Sequence, residues 1–386
     1  MQYDLSEEQK LIRQTVRKLA VDKVTPRAAE IDEKEEYPWD ILELLKENAL
    51  MGSDIPEDYG GTGSGPLVLC IIIEELSKAC ASTGLIPAVQ ELGLLPILLA
   101  GSEEQKKAFL PKIASGEHLT ACAITESGAG SDVGSIQTRA VREGDEYILN
   151  GNKIFITNGG IADIYSVFAK TDPDAKGSKA ISTFVVEKDA PGFSIGKHEK
   201  KLGIRGSATT ELIFEDCRIP AANLLNNEGM GFAICMKTLD FSRPGIAAQA
   251  LGIAQGALDY AVGYAKERKQ FGKPITAFQG IQFMLADMTT QVEAARHLLY
   301  KTASLLEDQV KDMSRLSAEI IRFSSMSKNF ASDTAMKVTV DAIQVLGGYG
   351  YVKEYPVERM MRDAKITQLY EGTNQIQRIV IAGTLL

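Results

Sequence analysis

Between about residues 119 and 222 the chain changes texture. The runs EYILNGNKIFITNGG, DIYSVFAKT, AISTFVVEK and TELIFEDCRIP are short, rich in β-branched and aromatic residues, and separated by Asn-Gly, Gly-Gly and Pro-Gly turns. No helical pattern lies between them, so an antiparallel β domain is expected there, not a series of βαβ units. Long helical patterns stand on both sides. The order helix, strand, helix argues against a doubly wound nucleotide fold. GAGSDVG (128–134) comes nearest to a dinucleotide fingerprint, but it lacks the final glycine at the required spacing and opens no helix of a βαβ unit.

The expected fold class is therefore α+β: a helical domain over 1–118, a β domain over 119–222 and a helical domain over 223–386. LSEEQKLIRQTVRKLAVDKV opens with a capping box from Ser6 to Gln9 and is read with Leu11, Ile12, Val16 and Leu19 on one face. GLIPAVQELGLLPILLAG has almost no polar face and is expected to be buried nearly all round. Beyond residue 223, three long helical patterns together with TNQIQRIVIAGTLL suit a four-helix bundle. No internal repeat or low-complexity tract is seen.

Charge and cysteine content narrow the class. Lys and Arg number 42 against 51 Asp and Glu, a net charge of −9, which disfavours nucleic-acid binding and an anionic membrane surface. No uninterrupted apolar run reaches the length of a membrane span, and membrane insertion is not expected. The first residues, MQYDLSEEQK, are unlike a leader, so a cytoplasmic protein is expected, or a mature form from the mitochondrial matrix. The five cysteines form no CxxC, so neither a disulfide framework nor a metal site is expected.

Several motifs carry two readings each. TESGAGSD (125–132) is a small-residue loop able to lie against phosphates or ring edges, or an ordinary surface turn. FITNGG (155–160) is a hairpin end, or a wall and a donor for a flat ring. In ERKQFGKPITAFQ (267–279), Arg268 suits a pyrophosphate clamp or a cationic helix C-terminus. The glycines of QVLGGYGY suit a ligand loop or a helix C-cap. In AKITQLYEGTNQIQR, Glu371 is a lone carboxylate on a Gly-loosened turn, with no other charge within three residues.

Taken together, GDEYILNGNKIFITNGG, ERKQFGKPI, LGGYGY, EYPVERMMRDAKI and YEGTNQIQR resemble the acyl-CoA dehydrogenase family over essentially the whole chain. The resemblance implies an N-terminal helical domain, a middle β domain and a C-terminal four-helix bundle. It implies FAD as cofactor, an acyl-CoA substrate, an electron-transferring flavoprotein as acceptor and a homotetramer built as a dimer of dimers. The α-proton base falls on Glu371, with Tyr370 and Gly372 beside the substrate and Asp240 and Arg243 toward the CoA moiety. Cys122, Ile124, Thr125, Gly130 and Ser131 are expected to line the flavin, Ser131 touching substrate as well. Phe155, Ile156 and Thr157 are expected to cover and hydrogen-bond its ring. Arg268, Phe271, Gln279, Gln344, Gly347 and Gly348 are placed at the dinucleotide half, across a subunit interface, and Thr373 and Gln375 near the base.

Glu91 stands out within its apolar segment, where an unpaired buried carboxylate is costly. The resemblance offers a second acid/base or an acyl-pocket contact; the plain alternatives are a solvent edge or a cation partner. A glutaryl-type enzyme of the family is expected to carry Arg at the start of this segment, where Thr83 and Gly84 stand. Two rival activities share the pattern: an enoyl-CoA reductase in an electron-bifurcating complex, and a non-catalytic flavin- or acyl-CoA-binding scaffold.

Overall fold

Ser6 starts the first helix as its sequence dictates. Its hydroxyl accepts from the Gln9 amide at 3.1 Å while the Gln9 side chain accepts from the Ser6 amide, which satisfies two orphan donors. In this computed structural model, which describes residues 5–172, 177–309 and 316–386, that helix is α1 (Glu7–Leu19). It buries Val16 and Leu19, but Leu11 is 63 % exposed. Leu11 lies off the i, i+4, i+7 stripe of Ile12, Val16 and Leu19, so the expected face is narrower by one residue.

Five more helices complete the first domain: α2 (Ala28–Lys34), α3 (Trp39–Glu47), α4 (Gly65–Ala79), α5 (Ala81–Ala100) and α6 (Glu103–Ala114). As its composition requires, α5 is buried almost all round. By length and composition α5 does suffice to cross a membrane, contrary to the expectation above, yet 83 % of that stretch is buried inside the protein.

The β domain holds β1 (Thr120–Ala123), β2 (Arg139–Glu143), β3 (Glu146–Thr157), β4 (Ile164–Lys170), β5 (Ile181–Glu187), β6 (Phe193–His198), β7 (Thr209–Pro220) and β8 (Leu224–Leu225). The sheet runs β6-β7-β3-β2-β4-β5-β8. Most pairs are antiparallel, but β1 lies parallel to β4, and β2 meets β4 in one parallel bridge. The sheet is therefore mixed, which corrects the antiparallel expectation. A parallel pair needs a crossover, and here the β2–β3 hairpin supplies it in place of a helix.

The last domain has three long helices, α7 (Gly231–Glu267), α8 (Gln279–Gln309) and α9 (Ala318–Leu346), packed on one another. A two-stranded ribbon, β9 (Lys269–Gln270) and β10 (Lys273–Pro274), joins α7 to α8. The fourth bundle position belongs to α10 (Val357–Thr367), which packs on both α7 and α9, whereas α11 (Asn374–Gly383) leans mainly on α9. The cause is composition. α10 buries Val357, Met360 and Ala364, while α11 buries Asn374 and Gln377 and leaves Ile379 in solvent. α10 also ties the domains together. Arg362 makes a bidentate pair with Asp32 at 2.6 and 3.0 Å, and Asp363 accepts from the Ile204 amide at 2.5 Å.

The hydrophobic core ignores the domain borders. One apolar cluster joins α4 and α5 to α7, α8, α9 and α10, and a second joins the first domain to the sheet. The α4–α7 contact depends on glycine. A Cβ at Gly252 would lie 2.4 Å from the Glu74 carbonyl oxygen, and one at Gly256 would lie 2.4 Å from that of Lys78. Gly256→Ala is therefore expected to cost about 1–3 kcal/mol by overpacking. Gly263, on the same helix, meets nothing within 4 Å, so Gly263→Ala is expected to stabilise by up to about 1 kcal/mol. Thermal melts of the two variants should move in opposite directions.

Candidate active site

Six residues, 368–373, connect α10 to α11, and Glu371 sits in their midst with φ +51°. Gly372 follows at φ +90°, a conformation that favours glycine. Thr373 caps α11, its side chain accepting from the Ile376 amide at 3.4 Å. Gln377 reaches back and donates to the Glu371 carbonyl at 3.1 Å and the Gly372 carbonyl at 2.9 Å. Lys328 of α9 donates to the Gly372 carbonyl at 2.7 Å.

The Glu371 carboxylate faces α7, where Ser242 donates to its Oε2 at 2.6 Å. Burial pushes the carboxyl up to about 7, against the Ser242 hydrogen bond and the charges of Arg243 and Lys328. A carboxylate so placed is a base poised near neutrality. Next to Ser242, Arg243 pairs with Asp240 at 2.5 Å and donates to Ser325 at 3.2 Å, and its Nε is buried without a partner. The Tyr370 hydroxyl donates to Gln249.

The β domain supplies the opposite wall. Lys153 points inward from β3, wholly buried, and donates to Glu126 at 2.7 Å and the Ile124 carbonyl at 3.0 Å. Glu126 also accepts from the amides of Gln137 and Thr138 at 2.5 and 3.0 Å. This ion pair anchors the base of the 125–132 loop. Burial draws the ammonium down to about 8 even with Glu126 beside it. Phe155, at φ +58° in the irregular part of β3, is 59 % exposed at the cavity side.

Between the walls lies a cavity of about 460 Å³. It is lined by Glu371, Tyr370, Gly372 and Arg243, by Cys122, Ile124, Thr125, Gly130 and Ser131, and by Phe155, Ile156 and Thr157. These twelve expected residues thus meet in one place. Asp240, Thr373 and Gln375 are not among the lining; Asp240 stands behind Arg243, and burial pushes its carboxyl up to about 6. Arg268, Gly347 and Gly348 meet in a second pocket of about 490 Å³, with the Arg268 guanidinium 5.1 Å from the Tyr349 ring centre. Phe271, Gln279 and Gln344 are exposed beyond it, Phe271 at 92 %.

Glu91 takes neither plain alternative. It is buried, its Oε2 has no partner, and no cation pairs with it among the described residues. It lies behind the cavity lining, against α7, where the missing side chain of Gly245 leaves it room: a Cβ there would sit 3.2 Å from Oε2. Burial, Asp54 and Glu371 hold its carboxyl well above the usual carboxylate range.

Sequence reasoning missed Ser242, Lys328 and the Lys153–Glu126 pair. Each stands among other polar residues, and only a tertiary contact sets it apart. It also missed the apolar lining from α7, although Phe232, Met236, Leu239 and Ile246 repeat at helical spacing.

Three family models match end to end: the acyl-CoA dehydrogenase N-terminal domain (residues 6–117), middle domain (121–217) and C-terminal domain (229–386). Among relatives, cyclohex-1-ene-1-carbonyl-CoA dehydrogenase of Geobacter metallireducens is 52 % identical over 99 % of both chains. Among solved structures, butyryl-CoA dehydrogenase of Megasphaera elsdenii superposes with a TM-score of 0.95 at 44 % identity, each chain fully covered. A chain described with the electron transferring flavoprotein of Acidaminococcus fermentans, in work on flavin-based electron bifurcation, gives 0.95 at 48 % identity, again with full coverage. The protein belongs to the acyl-CoA dehydrogenase family of oxidoreductases.

Its cofactor is FAD, as in the FAD complex of the Bacillus anthracis acyl-CoA dehydrogenase (36 % identity, TM-score 0.90, 99 % of this chain and 67 % of that one). The residues present fit that group. A Cβ at Gly128 or Gly130 would meet nothing within 4 Å, so the 125–132 loop leaves an open face on which a flat ring can rest. Thr125, Ser131 and Thr157 offer hydroxyls along it.

The Ser242 contact yields a signed prediction. Its hydroxyl stabilises the charged carboxylate, so Ser242→Ala should raise the Glu371 pKa. A hydrogen bond to a charged group is worth about 1.5–3 kcal/mol, or roughly one to two pH units. The rising limb of the pH–rate profile should move to higher pH by that amount, with activity recovering above it.

Proposed function

We propose that this chain dehydrogenates an acyl-CoA thioester between Cα and Cβ, with Glu371 taking the α-proton. The observation that carries the reading is the Glu371 carboxyl at the cavity wall, pushed up to about 7 by burial and held by Ser242. A carbon acid beside a thioester is weak, and an ordinary solvated carboxylate is too weak a base for it. Desolvation strengthens the base. The left-handed turn leaves the Glu371 amide without a hydrogen-bond partner among the described residues, free to polarise the thioester carbonyl as charge develops on it. FAD, when bound, supplies the acceptor for the hydride that leaves Cβ. Thr125, Ser131, Phe155 and Thr157 would hold its ring, and Arg268, Gly347 and Gly348 its dinucleotide half, in an assembly of four copies. Arg243, already neutralised by Asp240, directs the CoA portion. The likeness to the Acidaminococcus chain supports an electron-transferring flavoprotein as the electron acceptor.

The same site serves the reverse reaction, reduction of an enoyl-CoA, when coupled to a bifurcating flavoprotein. The bifurcation context of that chain favours this as the second reading. Anaerobic addition of saturated acyl-CoA to the yellow holoenzyme is expected to bleach the flavin. Glu371→Gln should retain FAD and bind the thioester yet lose at least about 10²–10⁴-fold in turnover, the usual cost of a missing base. Near-normal turnover would move the base elsewhere.

Glu91 we assign to the layer behind the far wall of the acyl site, a neutral acid that shapes the ring or tail end of the pocket through the side chains in front of it. Removing an unpartnered carboxyl leaves nothing stranded. Glu91→Gln should therefore hold or raise Tm while shifting the ranking of alicyclic, straight-chain and polar-tailed acyl-CoAs. An unchanged ranking in a stable variant would reduce Glu91 to a packing residue.

A further inference from the structure

The connection that carries Glu371 has no regular structure of its own, yet two successive residues hold left-handed conformations. For a residue other than glycine, that persists only where the surroundings over-determine it. Gln377 of α11 holds the Glu371 and Gly372 carbonyls from one side, and the other groups that do so come from one face of α9, at Lys328, Ser332 and Asp333. Lys328 Nζ donates to the Gly372 carbonyl at 2.7 Å and to Asn374 Oδ1 at 3.0 Å. Asn374 Nδ2 donates to Ser332 at 2.9 Å and to Asp333 at 2.8 Å. Asp333 also accepts from Gln368 at 2.7 Å and from Arg378 at 2.9 Å. The chain is thus held before, at and after Glu371.

Within this set Lys328 is unusual. Its side chain is wholly buried, and among the described residues no carboxylate lies within ion-pair distance of it. A buried ammonium without such a partner is expensive, and an apolar side chain of the same length would suit the packing better. Burial brings it down to about 7, with Glu371 as the largest charge favouring the protonated form. Two of its protons go to the carbonyl and the amide oxygen that define the turn. A costly charge spent on two backbone-fixing hydrogen bonds next to the base points to a role in the reaction.

We propose that Lys328 is the positioning residue of the Glu371 base: its ammonium clamps the Gly372 carbonyl, fixes the left-handed turn, and so sets where the Glu371 carboxylate and amide point. Lys328 is not in the cavity lining and acts through the turn. The inference rests on Glu371 being the base.

The test uses wild-type, Lys328→Gln, Lys328→Met and Glu371→Gln holoenzymes. Rates are expressed per bound FAD, with kcat and KM measured on an acyl-CoA substrate and on the same substrate deuterated at Cα. Gln keeps a donor without the charge, and Met keeps neither. For Lys328→Met, kcat is expected to fall at least about tenfold with KM within about threefold, because the lost interaction orients the transition state more than the bound substrate. The α-deuterium isotope effect should rise as proton removal becomes the slow step, and Lys328→Gln should fall between Met and wild type. A purely structural lysine would lower Tm or FAD content and leave kcat per flavin and the isotope effect unchanged; that result overturns the proposal. Should Lys328→Met fail to fold, Asn374→Ala, which removes the second acceptor, is expected to show a smaller kcat loss and the same rise in isotope effect, and an unchanged isotope effect there overturns it equally. Normal turnover by Glu371→Gln would instead defeat the base assignment. An inactive Glu371→Gln beside an unimpaired Lys328→Met defeats the positioning role alone.

Discussion

Everything at the site depends on how closely α7 lies against α4 and α5. This 37-residue helix presents glycines to its neighbours: Gly252 and Gly256 let the α4 backbone approach, and Gly245 leaves space for Glu91. The same helix brings Ser242 to Glu371 and Arg243 to the cavity, and it adds Phe232, Met236, Leu239 and Ile246 to the apolar wall. Close packing of this kind fixes the positions of side chains that no loop could hold as well. The desolvation that raises the Glu371 pKa follows from the same packing, since it surrounds much of the carboxylate with protein.

Two buried ammonium groups work in parallel. Lys153 fixes the loop that forms one wall, and Lys328 holds the turn that carries Glu371. In both, the lysine reaches from a regular element to irregular backbone and donates to a carbonyl. The two differ in compensation. Lys153 has Glu126 within 2.7 Å, whereas Lys328 has only dipoles in contact and the Glu371 carboxylate nearby. The β-domain wall is therefore tied by a charge pair, and the Glu371 turn by a charge with less to offset its burial.

Much of this was legible in sequence because it is local. The capping box at Ser6, the all-round burial of α5, the strand texture after residue 119 and the lone acid at 371 each follow from residues within a turn or two of one another. Contacts across the chain were not. The parallel pairing of β1 with β4 joins segments separated by the β2–β3 hairpin. The bundle role of α10 depends on what α7 and α9 leave uncovered, and Ser242 gains its meaning from a residue 129 positions away. Glu91 was recognisable as out of place. Its surroundings were not, because Gly245 and Asp54 lie on other elements.

The adjacent residues Arg362 and Asp363 tie α10 to both other domains, across 330 positions to Asp32 and 159 to Ile204. During synthesis at about 5–20 residues per second, the first two domains emerge long before these partners exist. They wait with Asp32 facing only Arg205, 3.9 Å away, the Ile204 amide without its carboxylate acceptor, and the apolar faces of α4 and α5 uncovered. Loop closure over such separations is slow. The sites where the domains meet are thus finished only when nearly the whole chain has left the ribosome, and the nascent protein passes through an interval in which the segments destined to enclose the active site are the ones most open to wrong partners.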